Sequence, residues 1–155
     1  MPIDFEFVSP DDKPALLALT TPEWQAQGRT LLTELDYKPH GAANHDDFFN
    51  RFNRTRYQLV LIEECFDSSS PAENRSLKYL QSLVMGQRRY AIIFLISEQF
   101  PTLSSMHAFQ QSVHAVIHPR DLDKLKPIVQ QVVADQDLFL HVFRDAQLEI
   151  TAGGK

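Results

Sequence analysis

Length, composition and charge limit what this chain can be. Its 155 residues, 43% of them hydrophobic and 23% charged, suit one globular domain with a continuous core. A net charge of −5 argues against broad nucleic-acid binding, which needs a basic surface. The single cysteine, Cys65, excludes an internal disulfide framework and a multi-cysteine zinc ribbon. Because Glu63 and Glu64 lie just before Cys65, we expect the pKa of its thiol to be raised.

The N-terminal residues carry no signal-peptide pattern, and no apolar run approaches the ~18 residues of a membrane span. We therefore expect a cytoplasmic protein that does not associate with membranes. Residues 3–8 alternate like a strand, and we take residues 1–14 as an N-terminal extension.

The first half of the chain alternates strand-like and helix-like segments. An apolar run at residues 15–19 predicts a buried first strand. Thr21 then caps a helix with Pro22 at its first position. A weaker strand follows at residues 38–42, and its Pro39 places it near a sheet edge.

The same alternation continues along the rest of the chain. Asn44 is predicted to cap a helix with an aromatic inner face, and Ser104 or Ser105 to begin a later helix. Residues 91–96 form the most hydrophobic run and are predicted to be a central strand. The whole pattern predicts an α/β fold of the flavodoxin-like, doubly wound type, with a five-stranded parallel sheet flanked by helices. Its remaining elements are strands at residues 59–62 and 116–117 and a helix carrying Leu77, Leu80 and Leu83.

Two segments carry a family resemblance. Residues 57–63 read Tyr-Gln-Leu-Val-Leu-Ile-Glu, and residues 115–125 read Ala-Val-Ile-His-Pro-Arg-Asp-Leu-Asp-Lys-Leu. They resemble strands three and five of a response-regulator receiver (CheY-like) domain. The resemblance covers residues 15–134, which leaves residues 135–155 as a C-terminal helical extension and tail.

The resemblance implies a phosphorylation pocket with altered chemistry. In the family the third strand ends in the Asp that accepts phosphate, and the fifth ends in a Lys before Pro. The matching residues here are Glu63 and His118. A neutral imidazole is a poor substitute for the charge of that Lys.

The metal-binding positions of the family also differ. Two acidic residues after strand one normally hold Mg²⁺, and they correspond here to Leu19 and Thr20 or to Thr20 and Thr21. Glu63 and Glu64 alone would not rebuild a site that takes several oxygen ligands. The position of the family's strand-four hydroxyl falls on Ile96 or on its neighbour Ser97, and in the second case Ser97 keeps that role. We therefore expect a pseudo-receiver with a degenerate phospho-acceptor pocket, formed by Thr20, Thr21, Glu63, Glu64, Ser97 and His118.

Two interpretations of Glu63 remain open at this stage. Its carboxylate reaches His118 and imitates an activated state, or it is a solvent-exposed group at a strand end. The second is favoured.

Other site chemistries have little support in the sequence. His40, His45, His114 and His118 are expected to be surface or hydrogen-bonded residues, since zinc needs three or four converging ligands. No glycine-rich phosphate loop or nucleophile elbow is present, so no cofactor and no catalytic residue are predicted. The alternative is a flavodoxin-like enzyme or small-molecule binder that uses the crevice at the strand C-termini.

The C-terminal segment suggests a contact surface. Apolar positions keep helical spacing from Leu125 to Ile150, about 37 Å of helix at 1.5 Å per residue, which is more than the sheet covers. Either the helix breaks near residues 135–137 and folds back, or its second half forms a homodimer seam or partner site. The expected function is therefore a non-phosphorylatable signalling or adaptor module that acts through protein contacts. The candidate interface residues are Met106, Phe109, Phe139, Val142, Phe143 and Ala146.

Overall fold

A computed structural model describes residues 12–83 and 91–138 of the chain. In this part of the protein, five parallel strands form one sheet in the order β2-β1-β3-β4-β5. That order and direction are those of the flavodoxin-like doubly wound fold, as the sequence predicts. The strands are β1 (Lys13–Ala18), β2 (Tyr37–Gly41), β3 (Leu59–Glu63), β4 (Ile92–Ile96) and β5 (Ala115–Ile117).

Helices cover both faces of the sheet. Leu32 of α1 and Ile128 of α5 pack into the core on one face, whereas Phe48 of α2, Leu80 of α3 and Ala108 of α4 pack on the other. Two 3₁₀ turns, Pro71–Glu73 and Pro119–Lys124, lead into α3 and α5. The helices are α1 (Pro22–Glu34), α2 (His45–Arg54), α3 (Arg75–Ser82), α4 (Ser105–Gln110) and α5, which is helical from 125 to 138, where the description ends.

The strand positions differ from the prediction in two respects. β1 begins at Lys13 rather than residue 15, because Lys13 pairs with Tyr37 of the edge strand β2. The middle strand is β3, since β4 lies between β3 and β5. β4 is nevertheless fully buried, because it pairs on both sides and helices cover both faces. The prediction that the Pro39 strand lies at the edge is confirmed.

Helix α1 lies close to the sheet at Gly28. A Cβ atom at Gly28 would lie 3.2 Å from Cδ2 of Leu61 on β3, so the Leu61 side chain would have to shift to accept a larger residue. The N-terminus of α1 is held directly beside the ends of β1 and β3.

Helix α5 continues through residues 135–137, so the break considered there is absent from the described part of the helix. Four predicted interface residues, Phe139, Val142, Phe143 and Ala146, lie outside the described residues. The strand-like segment at residues 3–8 lies outside them as well. No helix within residues 12–83 and 91–138 is long and apolar enough to cross a membrane.

Candidate functional site

The predicted pocket residues lie together at the carboxyl edge of the sheet. Glu63 at the end of β3 pairs with Ile96, which pairs in turn with Ile117 of β5. Ser97 and His118 directly follow those two residues. Glu63 and His118 are therefore two strand spacings apart, about 10 Å, at the same end of the molecule.

The carboxylate of Glu63 faces the loop between β1 and α1. Its Oε1 accepts hydrogen bonds from the backbone N–H groups of Thr20 and Thr21, the second at 2.8 Å. The hydroxyl of Thr21 donates to Oε2 at 3.3 Å. The Glu63 side chain therefore lies against Thr20 and Thr21, in the loop that carries the metal-binding acidic residues in the receiver family.

Both interpretations of Glu63 from the sequence are wrong. The residue is only 7% exposed, so it is not a solvated strand end. Its carboxylate does not reach His118, whose Nδ1 instead accepts from the backbone N–H of Arg120 at 3.2 Å. The physical reason is that the two N–H groups at the head of α1 supply a nearer and better oriented set of donors.

Thr21 takes the N-cap position of α1 without capping the helix through its side chain. Its hydroxyl is engaged with Glu63 instead. The side-chain cap that the sequence predicts for Thr21 is therefore absent. The Glu63 carboxylate binds the two N–H groups just before the helix, where negative charge is favoured by the helix dipole.

Glu64 joins β3 to the loop after β4. Its Oε2 accepts from the Ser97 hydroxyl at 2.9 Å, and its Oε1 accepts from Nε2 of Gln99 at 3.1 Å. The Ser97 hydroxyl also accepts from the backbone N–H of Gln99 at 3.1 Å. The strand-four hydroxyl is present as expected, and its partner is a carboxylate of the protein itself.

His118, which matches the Lys before Pro in the receiver family, makes structural hydrogen bonds in this fold. The His118 ring caps the 3₁₀ turn that begins at Pro119, while its backbone N–H donates to the hydroxyl of Thr102 at 3.0 Å. Thr102 in turn donates to Asp121. This hydrogen bond is the main reason that the pKa of Asp121 is lowered, with smaller contributions from Lys124 and Arg120.

Sequence reasoning missed two residues that shape the pocket. The fully buried Asn74 donates from Nδ2 to the backbone carbonyls of Glu63 and Glu64 at 3.1 and 3.0 Å, and it caps α3 through Leu77. Asp67 donates its backbone N–H to the Thr20 hydroxyl at 2.8 Å. An Asn directly after a Pro-led turn signals the helix cap. Nothing in the local sequence signals its reach to β3.

The side chains of this pocket do not fit a magnesium site. Leu19, Thr20 and Thr21 supply no carboxylate, and the Glu63 carboxylate is already bound to two N–H groups and a hydroxyl. Glu64 is bound to Ser97 and Gln99. Mg²⁺ requires near-octahedral oxygen ligands that include free carboxylates, and this pocket offers hydrogen-bond donors instead.

The histidines that were weighed as metal ligands have hydrogen-bond partners. Nδ1 of His40 lies 2.9 Å from the Tyr57 hydroxyl, and Nδ1 of His45 lies 2.8 Å from the Ser76 hydroxyl. Nδ1 of His114 accepts from the backbone of Ile93. In the described part of the chain, no three His, Cys, Asp or Glu residues are grouped to hold a metal ion.

The environment of Cys65 agrees with the sequence prediction. Burial raises the pKa of its thiol, and the carboxylates of Glu64, Glu63 and Glu98 raise it further. A reactive thiolate is therefore not favoured at this position.

A second feature, away from the pocket, is the outer face of α4. Phe109 is 85% exposed and Met106 is 62% exposed. Both belong to the predicted interface. Large apolar side chains exposed side by side on a short helix are typical of contact surfaces.

Comparisons with solved structures agree with the fold described above. Neither the known protein-family models nor the curated proteins include a match to the chain. Among solved structures it resembles NtrX from Brucella abortus, with 13% identity and a TM-score of 0.64 over 86% of this chain. It also resembles CheY4 of Vibrio cholerae (10% identity, TM-score 0.61, 78% of this chain) and a receiver domain from Methylobacillus flagellatus (17%, 0.58, 79%).

The chain has the fold of a response-regulator receiver domain, CheY-like in its strand order and in its flanking helices. It corresponds to only 29% of the NtrX chain, but to 98% of CheY4 and 99% of the Methylobacillus domain. It therefore matches one complete receiver unit.

Proposed function

We propose that this protein is a receiver-like signalling or adaptor module that does not accept a phosphoryl group and acts through protein contacts. The observation that carries the proposal is the position of Glu63, whose carboxylate is held by Thr20 and Thr21. A nucleophilic carboxylate must face an incoming phosphoryl group with a metal ion beside it. Glu63 faces the loop between β1 and α1, and that loop, residues 19–21, contains no acidic residue.

The bonds of Glu64 support a module with one fixed state. In the receiver family the strand-four hydroxyl meets the phosphoryl group, whereas here Ser97 donates to Glu64. We infer that the protein supplies its own negative charge at this point. The loop before α4 is then held without any modification.

Protein contacts through the α4 face are the second part of the proposal. Met106 and Phe109 support it by their exposure. The proposed contact surface also includes the predicted residues Phe139, Val142, Phe143 and Ala146. We further propose that the protein is cytoplasmic.

The alternative, an enzyme or small-molecule binder using the crevice at the strand C-termini, has weaker support. The carboxylates of Glu63 and Glu64 at that crevice are engaged with protein donors. These hydrogen bonds leave neither carboxylate free to act as a general base.

The proposal is tested by treating the protein with phosphoramidate and Mg²⁺ and measuring its intact mass. We expect no phosphoryl adduct on the wild type. Glu63→Asp, which restores only the acceptor residue, should also stay unmodified, because the metal-binding carboxylates after β1 are still missing. A mass increase of one phosphoryl group that maps to Glu63 or to any other residue of this pocket would overturn the proposal.

A further inference from the structure

The positive charge of this chain is concentrated around α2 and α3. Residues 48–62 and 74–97, which include most of α2 and β3 and all of α3 and β4, contain seven Lys and Arg and no Asp or Glu. The rest of the chain has eight Lys and Arg against all 20 acidic residues. Helices α2 and α3 contact each other on one face of the sheet, where the rings of Phe49 and Phe52 pack on Tyr79. Such an uneven charge distribution is typical of a surface that meets an acidic partner.

Two of these cations are paired with carboxylates in the first turn of α2. Nε of Arg51 lies 3.1 Å from Oδ2 of Asp47, and Nη2 of Arg75 lies 3.6 Å from Oδ1 of Asp46. These two carboxylates lie at the start of α2, whereas Arg54 lies at its other end.

A cavity of about 340 Å³ lies between the end of α2 and the start of β3. The ring of Phe52 is stacked on that of Phe48, with centroids 5.7 Å apart. Tyr57 is only 2% exposed, and its hydroxyl lies 2.9 Å from Nδ1 of His40. The walls of the cavity are therefore held in place by the core, which reduces the cost of ordering them around a ligand. The residues that line it are Phe52, Asn53, Arg54, Thr55, Arg56 and Tyr57.

The dipole of α2 accounts for only part of this arrangement. Arg51 and Arg54 lie in the last turn of the helix, where cations stabilise it. Arg56 lies beyond the end of the helix, and it is exposed like Arg54. The dipole also does not explain the lack of acidic residues in residues 74–97, which belong to other elements. The two exposed arginines at one cavity therefore point to an anionic ligand.

We propose that this cavity binds an acidic peptide segment of a partner protein, with one carboxylate of the segment held by Arg54 and Arg56. A guanidinium group can donate two parallel N–H groups to a carboxylate, and such a pair is stronger than a neutral hydrogen bond. The volume of the cavity is roughly that of eleven liquid waters, which admits one acidic side chain. The inference rests on the proposed function, because it gives the chemistry of a protein partner, and it concerns a face other than that of α4.

The charges of the whole chain favour a short peptide over a longer polyanion. A nucleic acid or an anionic membrane would extend from the cavity onto the rest of the surface. Outside residues 48–62 and 74–97 the chain has 20 acidic residues and eight Lys and Arg, so that contact would be repulsive. A peptide of a few residues meets the arginines without this repulsion.

The test titrates the full-length, isotope-labelled protein with a capped hexaglutamate peptide at low ionic strength and follows the backbone amide signals by NMR. We expect saturable shifts at residues 52–57 and none in α1 or α5. Arg54→Gln and Arg56→Gln, introduced together, should weaken binding of hexaglutamate at least about tenfold, because the site loses both charged donors. Added salt should weaken the wild-type complex as well.

Arg120→Gln and Lys124→Gln, introduced together, are the matched control, since they remove two exposed cations outside the proposed site. This control should bind hexaglutamate like the wild type. Absence of saturable shifts at residues 52–57, or equal weakening in the two double variants, would overturn the proposal. The shifts are mapped on the wild type, so this outcome does not depend on the folding of a variant.

The same titration with hexathymidylate and with vesicles of anionic lipid tests the other classes of partner. We expect both to bind more weakly than hexaglutamate. Tighter binding of either one through residues 52–57 would overturn the proposal, because it would assign the cavity to a nucleic acid or to a membrane. None of these results depends on phosphoramidate or on α4, so failure here is distinct from failure of the proposed function.

Discussion

Glu63 and Thr21 are joined by two hydrogen bonds, although 42 residues separate them in the chain. The Thr21 N–H donates to Oε1 of Glu63 at 2.8 Å, and the Thr21 hydroxyl donates to Oε2 at 3.3 Å. A carboxylate at the end of β3 therefore binds the two residues that directly precede α1. This contact ties the strand that would carry a phospho-acceptor to the loop that would carry a metal ion.

Removing the Glu63 carboxylate should cost stability. Glu63→Ala leaves the partly buried N–H groups of Thr20 and Thr21 without their acceptor. We therefore expect a loss of about 1–2 kcal/mol in the free energy of unfolding. Glu63→Gln keeps one acceptor oxygen and should lose about 1 kcal/mol. Urea unfolding measures both, with Glu98→Gln as a control at an exposed neighbouring carboxylate. Equal stability of Glu63→Ala and Glu98→Gln would contradict the buried contact.

The bond between Glu64 and Ser97 should hold the loop that leads to α4. In Glu64→Gln and in Ser97→Ala, amide hydrogen exchange of residues 98–104 should become faster, because that loop loses its link to β3. A double-mutant cycle should give a coupling energy of about 1 kcal/mol. Additive effects of the two substitutions would mean that the pair does not interact.

Cys65 should react slowly with iodoacetamide near neutral pH. Burial and the carboxylates of Glu64 and Glu63 raise the pKa of its thiol, which lowers the thiolate fraction. In Glu64→Gln the thiol pKa should fall and alkylation should become faster. The rate against pH in the two proteins checks this, and identical profiles would remove Glu64 as a cause.

Asp121 should stabilise the fold only while it is ionised. Its pKa is lowered chiefly by the hydrogen bond from Thr102, so its stabilising contribution is present above its ordinary pKa. That contribution disappears as the pH falls through the lowered pKa of the folded state. The stability difference between wild type and Asp121→Asn should therefore vanish in acid. Thr102→Val should move the Asp121 pKa upward in a carboxyl NMR titration, and an unmoved pKa would exclude the Thr102 bond as its cause.

The sequence predicts the sheet well because its signal is local. Continuous apolar runs such as residues 59–62 mark buried parallel strands, and Asn44 marks the start of a helix. The resemblance of residues 115–125 then fixes which strand is which. The order β2-β1-β3-β4-β5 follows from this alternation and from the family pattern.

The contacts inside the pocket were beyond local patterns. Successive side chains of a strand point to opposite faces, so the side chains of Glu63 and Glu64 point in different directions at the end of β3. Glu63 binds Thr21 and Glu64 binds Ser97. A shift of one residue in the strand register would exchange these partners. Asn74 contacts β3 through a loop whose course no motif specifies. Such contacts depend on backbone directions that only the folded chain defines.

Hydrogen exchange at the backbone amides of Thr20 and Thr21 tests the central claim most directly. The first N–H groups of a helix lack intrahelical acceptors and normally exchange fast. Because Glu63 accepts from Thr20 and Thr21, which directly precede α1, we predict that both amides are protected in the wild type. The protection should be lost in Glu63→Ala, while Glu23 and Trp24 in the first turn of α1 stay fast in both proteins. Rapid exchange of Thr20 and Thr21 in the wild type, at the rate of Glu23 and Trp24, would contradict the account.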